Sequence, residues 1–346
     1  IQTWLGAQAS YLRETRGISI VQVVEADDAA QAGTWRFEVV DAGPSVNAVL
    51  FLLPYYARSQ QSAPVNELTA LVDGFVEALD RAATDLGTVL MTAEGFASFF
   101  IAGDERLLHG LDRLAQRHTL RIAYYVRPQH TALEARWRQW GFRSEMSPSA
   151  WVRDQADSLR YADTLDQVRR LAPNLSFDVR PFRPDLLVGR DVVVDFARGF
   201  LGIEDPPAAT AIDDNVGLPL DLANLLRGAP AALLDDPGSR INTGARQLAL
   251  GVLGHSWTVE ESRAARESRH VLHRYAYREF EPRNRDLAAQ LAWPTESFVP
   301  PPEPADPELE ADVEALDDLW RPRASPTARA YLYAALSQLV TRRPRP

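Results

Sequence analysis

Along the first half of the chain, apolar positions recur with two different periods, and each change of period marks a new element. Ile18-Ser19-Ile20-Val21-Gln22-Val23-Val24 is a β-branched run of the kind that forms a buried strand. Trp35 to Val40 alternates large apolar with polar residues and reads as a second strand. From Asn66 to Leu86 the spacing turns helical (Leu68, Leu71, Val72, Phe75, Val76, Leu79), and Gly87 stops it. Thr88-Val89-Leu90-Met91 is then a short strand, Leu107 to Gln116 an amphipathic helix, and Leu120 to Val126 a strand closed by Pro128. A helix follows through Trp140 and breaks at Gly141. Tyr161 to Leu171 reads as helix, Leu175 to Phe182 as strand, and Val192 to Leu201 as a helix capped by Gly202. Ile1-Gln2-Thr3-Trp4-Leu5 reads as a helix already under way.

Strands separated by helices predict an α/β fold with right-handed crossovers and a mostly parallel sheet. In such sheets ligands bind beyond the carboxyl ends of the strands. After about residue 215 the strand signals stop. Residues 218–292 read as wholly helical, broken at Gly228-Ala229-Pro230 and Asp235-Asp236-Pro237-Gly238. Pro300 to Pro304 is a stiff polyproline-type spacer, and Pro307 to Trp320 and Ser325 to Thr341 are the last helices. The expected division is a nucleotide-binding core over 1–217, a helical region completing it over 218–298, and a Pro-rich spacer with C-terminal helices over 299–346. No internal repeat is visible.

Composition narrows the chemistry. All 37 basic residues among the 346 are arginine, and there is no cysteine. A Schiff-base lysine, a cysteine nucleophile, a Cys-ligated zinc and a phosphate-loop lysine are therefore excluded within these residues. Arginine instead suits bidentate grips on phosphate or carboxylate. A net charge of −10 argues against nucleic acid and anionic membrane as partners. The apolar run around Val49 to Leu53 stops at Pro54, too short to span a bilayer, and no secretion signal is visible. The absence of disulfides fits a cytoplasmic location.

Tyr124-Tyr125-Val126-Arg127-Pro128-Gln129-His130 puts a guanidinium where a strand turns into a helix, beside the free N–H groups of the helix start. A surface ion pair would explain Arg127 as simply. Met91-Thr92-Ala93-Glu94 repeats the geometry one strand earlier: Glu94 is a candidate base if burial raises its pKa, and Thr92 is equally a helix N-cap. Glu267, His270 and His273 share a helix face but lack the H-E-x-x-H pattern, so a solvated face is the simpler reading. His109, His118 and His255 have no companions, and Ser256 has no nucleophile elbow around it. Asp213-Asp214-Asn215 and Asp235 to Gly238 read as turns rather than calcium loops. The aromatics Trp257, Tyr275, Tyr277 and Phe280 read as core. No metal is expected.

In their order along the chain these segments resemble the bacterial branch of the sulfotransferase family. Val89 to Phe96 resembles the family's strand with a Ser-Ser-Glu-type ending, and Ile122 to Gln129 the strand bearing the arginine that grips a 3′-phosphate. Tyr161-Ala162, Phe177-Asp178-Val179-Arg180-Pro181-Phe182, Leu187-Val188-Gly189 and Asp195-Phe196 through Ile203 follow in family order. Asn215-Val216 and Pro282 to Ala288 resemble two later landmarks, so the likeness covers roughly residues 1 to 298. The resemblance implies a three-layer, P-loop NTPase-like fold, a mostly parallel sheet flanked by helices, with a helical C-terminal extension. It also implies transfer of a sulfuryl group from 3′-phosphoadenosine 5′-phosphosulfate to a hydroxyl or amine of a small-molecule or carbohydrate acceptor. Arg127 would bind the 3′-phosphate, Asn284 and Arg285 would close over the nucleotide, and Glu94 beside Thr92 would serve as base or orient the acceptor.

Two departures accompany the likeness. Eight residues after Arg127 the family has a serine that shares the phosphate, and here the position is Ala135. The family's Lys-Thr-Gly-Thr-Thr-Ser-like loop is also absent, and Ile1 to Leu5 looks like the helix that follows it. The expectation is a sulfotransferase fragment starting just past its phosphate loop, inactive as given. The alternative is a non-catalytic binding or scaffold module of the same descent.

Overall fold

The computed structural model describes residues 1–25, 35–41, 64–92, 96–208, 218, 220–227, 229, 263–298, 312–322 and 325–341. In chain order these form α1 (Gln2–Arg16), β1 (Ile18–Glu25), β2 (Trp35–Val39), α2 (Val65–Leu86) and β3 (Thr88–Leu90). Then come α3 (Phe96–Ala102), α4 (Glu105–Ala115), β4 (Arg121–Val126), α5 (Gln129–Gln139), α6 (Pro148–Ala156) and α7 (Tyr161–Leu171). The remainder are β5 (Ser176–Pro181), α8 (Val192–Asp195), α9 (Leu220–Leu226), α10 (Arg263–Leu291), α11 (Ala315–Leu319) and α12 (Pro326–Thr341). The result is a mixed α/β chain, mostly helical, with small sheets that contain parallel strands. It divides into two compact units, Ile1–Val126 with Arg160–Ile212, and Arg127–Leu159 with Asp213–Pro346.

In the first unit β1 pairs in parallel with β3 (Ile18 opposite Thr88, Ile20 opposite Leu90) and antiparallel with β2 (Val21 opposite Val39). β4 and β5 form a separate parallel pair, Arg121 opposite Ser176 through Val126 opposite Pro181. Two parallel pairs, β1–β3 and β4–β5, are thus present. The expected single sheet is split among the described residues, because β3 is only three residues long and carries no ladder to β4.

The strands nevertheless share two cores. Val89 and Leu90 are consecutive in β3 and so face opposite ways. Val89, Ile122 and Phe177 pack on a cluster supplied by α2, α3, α4 and α7, centred on Phe75, Phe100 and Leu108. Leu90, Ala123 and Tyr125 instead join Trp4, Leu5 and Leu12 of α1 and Phe196. Burial on both sides explains why these strands read as near-continuous apolar runs rather than strict alternations. The helical stripe read from Leu68 to Leu79 is the buried face of α2. α1 ends where Gly17 adopts a left-handed conformation (φ 63°) and returns its N–H to Arg13 and Leu12, a conformation that costs glycine little.

The second unit is helical in its described residues. Its core is an aromatic box: Trp137 stacks on Trp320 at 4.5 Å and meets Trp151 edge-on at 5.3 Å. The buried indole N–H of Trp137 donates to Asn224 Oδ1 at 2.8 Å, which satisfies its one polar group. Gly141, at the break the sequence placed after Trp140, lets these rings close. A Cβ there would stand 2.6 Å from Trp137 and 2.8 Å from Trp151. Along α5 and α10, Glu134 is held by Arg269 through two hydrogen bonds (2.7 and 3.1 Å). His130 stacks on His273 at 4.3 Å. Of the helical region expected over 218–292, Leu220–Leu226 and Arg263–Leu291 are helices (α9, α10); residues 230–262 and the Pro300–Pro304 spacer lie outside the described residues.

Gly141→Ala is expected to cost about 1–3 kcal/mol by forcing the indoles apart. The shift of the denaturant midpoint measures it, and an unchanged midpoint would mean the box yields without penalty.

Candidate functional site

The carboxyl ends of β4 and β5 in the first unit are joined by a buried carboxylate. Asp195 is fully buried, and three donors converge on it. The Tyr125 hydroxyl from β4 reaches Oδ2 at 2.6 Å, and Arg180 from β5 and the backbone N–H of Val188 both reach Oδ1 at 3.0 Å. Arg180 is itself largely covered and has a second, longer carboxylate contact, Asp178 at 3.8 Å. A buried charge survives only when paired and hydrogen-bonded, and these three donors meet that condition. Burial, and next the hydrogen bond to Asp195, push the Tyr125 phenol well above its usual range, so at neutral pH it donates a proton rather than carrying charge.

Local backbone supports this arrangement. Asp191 caps α8 by accepting from Val193 and Val194, and the turn that follows, Phe196–Phe200, is a π-helical turn closed by Leu201 N–H to Phe196 O at 3.0 Å. Such wide turns are uncommon and often mark functional segments. Gly199 sits against Arg180, where a Cβ would be 2.6 Å from Nη1. The Arg121 guanidinium lies over the Phe200 ring at 4.6 Å and donates to the Phe200 carbonyl. The helix expected over Val192 to Leu201 is thus one α-turn followed by a π-turn, with Gly202 in the left-handed region as its cap (φ 69°).

The residues singled out in the sequence fall in three settings. Thr92 is half-buried, two positions past the end of β3, while Glu94 lies outside the described residues. Arg127 is exposed at the expected junction: it follows the last residue of β4, Pro128 caps α5, and the helix starts at Gln129. Asn284 is buried in α10, with both atoms of its amide engaged by Gln129 (2.9 and 3.2 Å). Arg285 beside it is exposed and ion-paired with Glu281. Asn284 and Arg285 therefore point to different environments despite being neighbours in sequence.

The other candidates resolve as follows. Glu267 is paired with Arg263, and among the described residues no group of three His, Asp or Glu side chains could hold a metal ion. His118 is bonded to Asp80 at 2.6 Å. His255, Ser256, Trp257, Asp213 to Asn215 and Asp235 to Gly238 lie outside the described residues. Of the aromatics expected in the core, Phe280 is buried, whereas Tyr275 and Tyr277 are only half-buried. No helix among the described residues is long and apolar enough to cross a membrane. The sequence reading assigned no role to Tyr125, Arg180 or Asp195. An alternating Tyr and Arg near two strand ends was the only local signal, and their common partner comes from a separate segment.

Compared with family models, curated proteins and solved structures, the chain matches none.

Asp195→Asn leaves the Arg180 charge without its buried counter-ion and is expected to cost about 3–5 kcal/mol in denaturant unfolding. The phenol has a pKa raised by folding, so its stabilisation is complete at neutral pH. It declines once the unfolded phenol ionises, from about pH 10 upward, because the folded state then holds the extra proton. Tyr125→Phe should flatten the fall in stability over that range relative to the parent chain; identical alkaline profiles would show that Tyr125 is not the group responsible.

Proposed function

We propose that this chain is a sulfotransferase-like protein that binds the 3′-phosphorylated end of an adenosine nucleotide through Arg127. The observation that carries the reading is the exposed guanidinium at a strand-to-helix junction, directly after the last residue of a parallel strand. An anion placed there would meet a guanidinium able to make bidentate hydrogen bonds, beside the N–H groups of the first turn of α5. The apolar clusters on both faces of the strands support a layered, P-loop-like core.

In this reading Asn284 acts at one remove. Its amide is committed to Gln129, the first residue of α5, so it positions the helix start instead of touching the nucleotide. Arg285, exposed on α10 and ion-paired with Glu281, would reach a ligand only by exchanging that partner. For transfer, Glu94 with Thr92 would take the proton of an acceptor hydroxyl or amine. The acceptor oxygen or nitrogen would attack sulfur in line, and the sulfur–oxygen bond to the 5′-phosphate would break. Positioning and electrostatics dominate such a step, as they do in phosphoryl transfer. The acceptor class is a small molecule or carbohydrate.

The second reading, a binding module without turnover, is favoured by Ala135. The phosphate-sharing hydroxyl is missing there, and no lysine exists in these residues to hold the sulfonate end.

Calorimetric titration with 3′-phosphoadenosine 5′-phosphate tests the proposal. Saturable binding is expected, weakened about 10- to 100-fold by Arg127→Ala, the equivalent of about 1.5–3 kcal/mol for a charge-assisted contact. No binding, or equal binding by the variant, would overturn it. Sulfuryl transfer to an acceptor panel then separates the enzyme from the module.

A further inference from the structure

The strand that leads into Arg127 is clamped one rung before it ends. Tyr125 on β4 stands directly opposite Arg180 on β5, and both side chains are bonded to the one Asp195 carboxylate, at 2.6 and 3.0 Å. Asp195 ends α8, is fully buried and also accepts the Val188 N–H, so it is itself held in place. It therefore ties the two strands together through their side chains. The backbone adds a bond at the same end, from the Phe182 N–H to the Val126 carbonyl at 2.6 Å.

Beyond Val126 the chain passes through Arg127 and Pro128 before α5 begins at Gln129. Proline has no N–H to donate, so this short passage takes its course from what is fixed on either side. On the helix side the anchor is Gln129, whose amide exchanges hydrogen bonds with Asn284 at 2.9 and 3.2 Å. On the strand side it is the clamp at Tyr125. We propose that Tyr125, through Asp195, is a positioning residue for the anion site at Arg127, a role that rests on the nucleotide-binding reading. Tyr125 would not touch the nucleotide. By holding the end of β4 it reduces the backbone freedom that the junction loses when a phosphate binds. Burial and the bond to Asp195 keep the phenol protonated well above neutrality, so the clamp persists across the neutral range.

A double-mutant cycle, read by calorimetric titration with 3′-phosphoadenosine 5′-phosphate, tests this role. Tyr125→Phe should weaken binding about 3- to 10-fold, the weight of one net hydrogen bond. In the Arg127→Ala background the same substitution should cause no further loss, because the clamp acts through Arg127. Val76→Ala truncates the other core cluster of the first unit and reports general loosening; it should bind as the parent does. Near-UV circular dichroism at the titration temperature establishes that each variant is folded. Parental affinity in Tyr125→Phe, an equal loss with and without Arg127, or the same loss in Val76→Ala would overturn the inference while leaving the anion site standing. A parent chain that does not bind, or is indifferent to Arg127→Ala, would overturn the nucleotide reading and this role with it.

Discussion

A single buried carboxylate sets the terms for the first unit. Asp195 is buried away from bulk solvent, and β4, β5 and the segment before α8 each deliver a donor to it. That convergence aligns the carboxyl ends of two strands that share one ladder, and it fixes the start of the π-turn that follows. Removing any one donor leaves charge or lone pairs stranded in an apolar surround, which makes the arrangement cooperative rather than a sum of separate contacts. Gly199 and the Arg121–Phe200 contact are adjustments to this constraint: one clears space for the guanidinium, the other holds the turn down.

The second unit solves the same problem differently. Several of its buried polar groups meet across helices: Trp137 with Asn224, Gln129 with Asn284, Glu134 with Arg269. Each pair joins two helices, so the packing of indoles and leucines is given a specific register. The Gln129–Asn284 amide pair matters most for the proposed function, because Gln129 opens the helix that Arg127 precedes.

Much of the secondary structure was legible from period alone. The stripe of α2, the span of α7, the strand over 121–126 and the break at Gly141 all follow from local spacing, and local spacing is what periodicity measures. The division into two small sheets was not legible, since strand pairing depends on partners distant in the chain and on the shortness of β3. The π-turn was also hidden: Val192 to Leu201 has ordinary helical spacing, and one extra residue per turn leaves no mark in a hydrophobic pattern. At the candidate site, Arg127 could be placed because its environment is a junction between neighbouring elements. Asp195 could not, because a carboxylate's burial is decided by Tyr125, seventy positions earlier. Asn284 illustrates the opposite error: a residue that looks available in sequence is already engaged by a partner 155 positions away.

The overlap of Trp137 and Trp320 carries an optical consequence. Two indoles stacked at 4.5 Å with ring planes 29° apart are close enough for their electronic transitions to couple. Coupled chromophores with a fixed twist give circular dichroism a paired positive and negative band that isolated indoles lack. The stack therefore writes its own signature into the spectrum, and the integrity of the Trp137–Trp320 contact can be read without dye or tag.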